Sequence, residues 1–130
     1  MSDDPRIALI EGAFEAFQSR DAEAVISFVH PEMESRVASP LMNAGTRHGV
    51  EGFAAMASAW EEAFGSVRYD IRGFELVDDR NVLVAVHQDA TGAGSGVPVE
   101  LDVFFLIEIE GERAVRLQIH AERESALAAA

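Results

Sequence analysis

The chain has 130 residues and is 48% apolar, which is enough for one domain with a buried core. Its formal net charge of −13 is repelled by phosphate backbones and anionic lipid surfaces, so neither a nucleic acid nor a membrane partner is expected. The absence of cysteine excludes disulfides and cysteine-based metal sites, and the absence of lysine excludes Schiff-base chemistry on a lysine.

The N-terminus and the overall hydropathy predict a cytoplasmic protein. The opening "MSDDPR" is acidic and lacks the basic and apolar segments of a secretory signal. The chain also has no run of about 18 apolar residues that could cross a membrane.

Three helices are predicted in the first half of the chain. The first begins at Asp3 or Asp4 with Pro5 in its first turn, and the second begins after Asp21, because aspartate is a favoured helix N-cap. The third lies in the stretch 47–64, where apolar side chains recur at three- and four-residue steps and form one stripe. The members of this stripe are Val50, Phe53, Ala57, Trp60 and Phe64.

The second half of the chain is predicted to be mostly strands. After Gly65 the apolar period changes from 3.6 to 2, and Gly73 interrupts the alternation as at a bulge. Including one early strand, the predicted strands cover residues 32–38, 67 to the turn at 78–81, 82–90, 98–110 and 114–122. Residues 41–49 are predicted as a loop, 91–96 as a flexible hairpin loop able to cover a pocket, and the C-terminal tail as helical or frayed.

This order predicts an α+β fold with helices on one face of a curved antiparallel sheet. The strand 98–110 is apolar on both faces, because Phe104 and Leu106 lie opposite the row that contains Phe105 and Ile107. An apolar centre on the outer face favours a partner there, and we expect a homodimer formed through the outer face of the sheet.

Several segments in this order carry a resemblance to a known family. They are "RHGVEGFAAM", "SVRYDIRGFELVDDRNVLV", "GSGVPVELDVFFLIEIEGERAVRLQIHAERESAL" and the two leading helices. The chain resembles the SnoaL-like polyketide cyclases, within the superfamily of nuclear transport factor 2 and ketosteroid isomerase. The resemblance implies one cone-shaped domain over residues 1–130, with a bent sheet enclosing an apolar pocket that is open at one end.

The same resemblance implies that the acids of the best-known enzymes of this fold are missing. The tyrosine and the two aspartates of ketosteroid isomerase fall near Ala13, Arg36 and Phe105, and the catalytic aspartate of the polyketide cyclases falls near Ile119. Neither reaction is therefore expected by its usual mechanism.

The inner face is predicted to bind a small apolar molecule. The resemblance and the strand alternation together place eight apolar side chains around it: Phe17, Met56, Trp60, Val103, Phe105, Ile107, Leu117 and Ile119. No cofactor or metal is expected, since the spacing of the four histidines matches no metal-binding motif.

Three polar side chains are candidates for catalysis. Tyr69 could donate a hydrogen bond to a carbonyl, although a core tyrosine whose hydroxyl reaches the rim is the simpler explanation of the residue. Arg36 is expected at the mouth of the pocket, where it binds an anion or forms a surface ion pair. His87 is the histidine to test as a general acid or base.

Two functions follow from these expectations. The first is a SnoaL-like protein that binds a small hydrophobic molecule, with isomerase, cyclase and hydrolase activities all open. The second is a non-catalytic ligand-binding or dimerisation module of the same fold.

Overall fold

The computed structural model describes residues 4–38, 41, 44–65, 67–91 and 98–130. The predicted loop 91–96 falls almost entirely outside these residues. The helices are α1 (Pro5–Gln18), α2 (Ala22–Phe28), α3 (Gly49–Phe64) and α4 (Arg123–Ala128). The strands are β1 (Val29–Val37), β2 (Gly45–His48), β3 (Val67–Leu76), β4 (Asn81–Thr91), β5 (Pro98–Glu110) and β6 (Arg113–His120).

The first two helices begin where their capping residues predict. The Asp4 carboxylate accepts a hydrogen bond from the backbone N–H of Arg6, with Pro5 in the first helical position. The Asp21 carboxylate accepts one from the backbone N–H of Ala24. These caps satisfy backbone donors that the helices themselves leave unpaired.

The strands form one six-stranded sheet in the order β2-β1-β6-β5-β4-β3. This confirms the α+β class, and it makes the sheet mixed, because β1 pairs with β6 in parallel while the other pairs are antiparallel. The predicted interruption at Gly73 is confirmed as a shift in the β3–β4 register between Ile71 and Gly73. Such a bulge bends the strand that contains it.

The prediction of a loop over residues 41–49 is wrong for β2, which pairs with β1 through Ser35–Arg47 and its neighbours. The strand has only four residues, and all of them are exposed. A short edge strand of this kind has no buried face, so it shows no alternation that a sequence could reveal.

Helices α1, α2 and α3 pack on the inner face of the sheet. Ile10 and Phe14 of α1 and Trp60 of α3 belong to a buried cluster with inward-facing strand residues such as Val84 and Phe105, and Phe28 of α2 packs against it. Of the helices in the described part of the chain, none is long and apolar enough to span a membrane.

The outer face is covered at its centre by the chain's own C-terminal helix. Ala126 of α4 is fully buried against Leu83 and Leu106, and Phe104 packs against the same cluster. The apolar centre of this face, which favoured a second copy of the chain, is thus occupied by α4. The homodimer stays a prediction that this packing does not require.

His120 is buried beneath α4, with 3% of its surface exposed. Its Nε2 lies 3.1 Å from Oε1 of Gln118, and its Nδ1 lies 3.3 Å from Oγ of Ser125. Burial, and then the charge of Arg36, lower the pKa of His120. The ring is therefore held neutral at neutral pH.

A buried neutral histidine makes stability depend on pH. The unfolded chain binds a proton at His120 near pH 6.5, whereas the folded chain binds it only at lower pH. The stabilising effect is thus present above about pH 6.5 and is lost as the pH falls toward the folded-state pKa. We expect His120→Gln to flatten the fall in the free energy of unfolding between about pH 6.5 and 5, measured by urea denaturation.

The matched control is His48→Gln, because His48 lies exposed on the edge strand β2. The pH dependence of the wild type also contains a contribution of opposite sign from His87: its hydrogen bond to the Asp102 carboxylate raises the pKa of His87, so that contribution is lost as pH rises. Equal pH slopes for His120→Gln and wild type would contradict the assignment to His120.

Candidate functional site

A cavity of about 90 Å³ lies between the helices and the inner face of the sheet. Nearly all of its lining is apolar, and among the described residues no charged side chain lines it. Seven of the eight predicted ligand-binding residues line it: Phe17, Met56, Trp60, Phe105, Ile107, Leu117 and Ile119. The eighth, Val103, is fully buried in the packed core instead of at the cavity wall.

Aromatic rings form one wall of the cavity. The Tyr69 ring lies edge-on to Phe14 and Phe17, with centroid distances of 6.0 and 5.7 Å, and 6.5 Å from Phe105. Phe17 also contacts Phe53 of α3 in an edge-on arrangement at 6.4 Å. These are favourable geometries for aromatic pairs, so the wall is held by ring contacts between α1, α3, β3 and β5.

Tyr69 is the residue of this wall that carries a hydroxyl group. Burial, and then the negative charge of Glu61, raise the pKa of Tyr69. The hydroxyl therefore stays protonated at neutral pH and acts as a hydrogen-bond donor, not as a base.

Two buried polar side chains lie beside the cavity. The indole Nε1–H of Trp60 donates a hydrogen bond of 3.1 Å to Oε1 of Gln88. Trp60 is 4% exposed and Gln88 is 1% exposed, so this bond lies in the interior. It fixes the Gln88 amide with its oxygen toward the indole, and in the described part of the chain Nε2 of Gln88 has no acceptor.

Gln88 is the residue that the reading of the sequence missed. It continues the alternating row of Val82, Val84 and Val86 on β4, all of which are buried on the inner face. The period of two alone would have placed Gln88 in the interior, where a lone polar side chain needs a partner. Phe14, Met33 and Phe53 also line the cavity without having been predicted there.

Arg36 does not lie at the mouth of the pocket, where it was expected. Arg36 is exposed and lies between Ser35 and Val37, which are both buried under α3. Successive side chains of a strand point to opposite faces, so Arg36 lies on the outer face, where its charge acts on His120. The family register aligns a position along the chain, and it does not determine on which face of the sheet the side chain lies.

His87 also lies on the outer face. It alternates with Val86 and Gln88, and its ring contacts Asp102 and Glu100 of β5 across the outer surface. It is not among the residues that line the cavity. Of the three catalytic candidates, Tyr69 is therefore the one that lines the cavity.

The fold and the cavity define a class of small α+β proteins with an apolar pocket between helices and sheet. The family model described as "SnoaL-like domain" matches residues 10–117. The chain therefore belongs to the SnoaL-like domain family. No curated protein matched the chain in a sequence search.

Solved structures share the fold at low sequence identity. TerC, co-crystallized with polyporic acid, is 21% identical with a TM-score of 0.81 over 94% of this chain and 95% of that one. An NTF2-like protein of unknown function from Burkholderia pseudomallei K96243 is 20% identical, with a TM-score of 0.80 over 98% and 97%. A protein from Catenulispora acidiphila DSM 44928 with a ketosteroid isomerase-like fold, in complex with trimethylamine, is 14% identical, with a TM-score of 0.74 over 92% and 89%.

The Trp60–Gln88 hydrogen bond can be measured with a double-mutant cycle in Trp60→Phe and Gln88→Met. Each single variant removes the hydrogen bond between two buried groups, so we expect each to lower the free energy of unfolding by about 1–3 kcal/mol. The coupling between them should be about 1 kcal/mol, measured by urea denaturation.

The control cycle combines Trp60→Phe with Gln118→Met. Gln118 is also a buried glutamine, but it belongs to the outer-face contacts beneath α4. Its coupling to Trp60 should lie within the error of the method. A coupling near zero in both cycles would show that the indole and the Gln88 amide do not interact.

Proposed function

We propose that this SnoaL-like protein binds a small apolar molecule, about one ring in size, in the inner cavity. The observation that carries the proposal is the cavity itself, whose lining is almost entirely apolar. Protein interiors are packed with few voids larger than a water molecule, so a cavity of about 90 Å³ is unusual in a simple core.

The size of the cavity limits the ligand. Sites for drug-sized molecules occupy roughly 300–1,000 Å³. The cavity here is smaller, so a single substituted ring is the class of ligand that suits it without movement of the wall. Dry apolar cavities of comparable order take up benzene-sized molecules.

The lining favours binding over acid–base catalysis. Isomerisation, cyclisation and hydrolysis each need a group that accepts or delivers a proton at the ligand. Among the described residues no aspartate, glutamate or histidine lines the cavity, and the raised pKa of Tyr69 keeps it a donor. The Tyr69 hydroxyl is suited to orient a ligand through a carbonyl or another acceptor.

The comparisons are consistent with a ligand in this fold. TerC was co-crystallized with polyporic acid, and the Catenulispora acidiphila protein was solved in complex with trimethylamine. At identities of 21% and 14% these structures share the fold, and they leave the chemistry of this cavity to its own side chains.

The proposal is tested with acetophenone and α-methylstyrene, which have the same shape but differ in the carbonyl group. Because the chain has one tryptophan, the indole N–H gives a single cross-peak in a ¹H–¹⁵N NMR spectrum, and Trp60 lines the cavity. We expect both compounds to shift this peak to saturation, with Kd on the order of 0.1–1 mM for acetophenone. Tyr69→Phe should weaken acetophenone about three- to tenfold and leave α-methylstyrene unchanged.

A matched pair on α3 separates the cavity from the helix surface. Ala57 lines the cavity, whereas Ala54 is exposed one turn earlier on the same helix. Ala57→Leu should fill part of the cavity and weaken both compounds, and Ala54→Leu should leave both unchanged. Saturable binding that is insensitive to Ala57→Leu, or no binding of either compound, would overturn the proposal.

A further inference from the structure

The outer face carries a group of side chains that the cavity does not use. His87 and Asp89 lie on β4, and Glu100 and Asp102 lie directly opposite on β5, in the register Asp89–Glu100 and His87–Asp102. These four residues are called the outer-face cluster below.

The imidazole of His87 is surrounded by carboxylates on both sides. Its Nδ1 lies 2.6 Å from Oδ1 of Asp102. Its Nε2 lies 3.1 Å from Oε1 of Glu100 and 3.3 Å from Oδ1 of Asp89. A neutral imidazole has only one N–H, so it can donate to one of these two sides and must point a lone pair at the other.

This arrangement needs a positive charge between the ring and the two carboxylates. If Nδ1–H donates to Asp102, then the Nε2 lone pair faces Glu100 and Asp89. That contact is repulsive until a proton or a metal ion occupies the space. The strong negative charge of the chain also attracts cations to this surface.

The distances fit a metal ion as well as a proton. Ligand atoms bound at about 2.0–2.1 Å to a tetrahedral zinc ion lie roughly 3.3 Å apart. The two Nε2–oxygen distances are close to this value, and the ligand atoms of His87, Asp89 and Glu100 all lie within 4.8 Å of one another. The Asp102 contact has the form of the carboxylate that orients a metal-bound histidine through its other nitrogen.

We propose that His87, Asp89 and Glu100 bind a divalent first-row metal ion such as zinc, and that Asp102 positions the His87 ring for it. One imidazole and two carboxylates form a ligand set that zinc accepts, with a fourth position left for water. The ligands come from two adjacent strands, so no short sequence motif contains them all. The site is on the opposite face of the sheet from the cavity and does not depend on the proposed function.

The neighbouring strand β3 supplies the other charges near the cluster. Asp70 lies opposite His87 and Arg68 lies opposite Asp89 in the β3–β4 register. Asp70 forms an ion pair with Arg72 at 3.3 Å. Among the described residues no ion pair joins Arg68 to Asp89, so the Asp89 carboxylate is not assigned to an arginine.

The test is calorimetric titration of the whole chain with zinc chloride. We expect one zinc ion per chain, and no saturable binding to His87→Ala. Glu100→Gln removes one ligand and should weaken binding at least tenfold, and Asp102→Asn removes the orienting carboxylate and should weaken it about 10–100-fold. Glu112→Gln is the matched control, because Glu112 is an exposed acid in the distant β5–β6 turn and should leave the affinity unchanged.

The ¹⁵N spectrum of the imidazole ring distinguishes coordination from a change of fold. Zinc should shift the ¹⁵N resonance of Nε2 of His87, and Nδ1 should keep the proton that it donates to Asp102. The variants lie on the surface, and an unchanged backbone spectrum establishes that each is folded. Absence of binding to the wild type, or equal affinity in wild type and His87→Ala, would show that a proton alone holds the cluster together.

Discussion

The Trp60–Gln88 hydrogen bond is the contact on which the arrangement of the inner face depends. It joins α3 to the middle of β4 in the interior, where both partners are almost fully buried. A buried polar pair has strong directional requirements, because either group costs free energy when its partner moves away. The bond therefore fixes the rotation of α3 over the sheet, and with it the apolar stripe that bounds the cavity.

The sheet separates two kinds of chemistry. Its inner face offers rings and aliphatic side chains to the cavity. Its outer face carries the charged groups, among them Arg36 and the carboxylates around His87. The alternation of side chains along each strand produces this division, since neighbouring residues cannot share a face. The candidate apolar site and the candidate metal site are consequently back to back and chemically independent.

The parts of the structure that follow a regular period were predictable from the sequence. The stripe on α3 and the alternation on β5 and β6 placed Trp60, Phe105 and Ile119 at the cavity, where they lie. The same alternation contained the correct side for His87 and Gln88, which follow the buried valines of β4 at odd and even steps. The alternation of β4 alone therefore determines on which face each of these two residues lies.

Features that depend on tertiary contacts were not predictable in this way. The edge strand β2 has no buried face, and the docking of α4 on Leu83 and Leu106 joins segments far apart in the chain. An apolar outer face gives the same sequence pattern whether a second copy of the chain or its own helix α4 covers it. The face of the sheet on which Arg36 lies was not predicted, because a family register aligns positions and does not orient side chains.

The existence of a dry, accessible cavity is tested most directly by diffraction from a crystal of the protein under xenon pressure. Xenon is apolar and enters cavities lined by hydrocarbon side chains without needing a hydrogen bond. We expect a xenon atom beside the Trp60 and Tyr69 rings, on the inner side of the sheet. Density showing these rings packed directly against their neighbours, with no xenon between α3 and the sheet, would contradict the cavity and the ligand-binding function together.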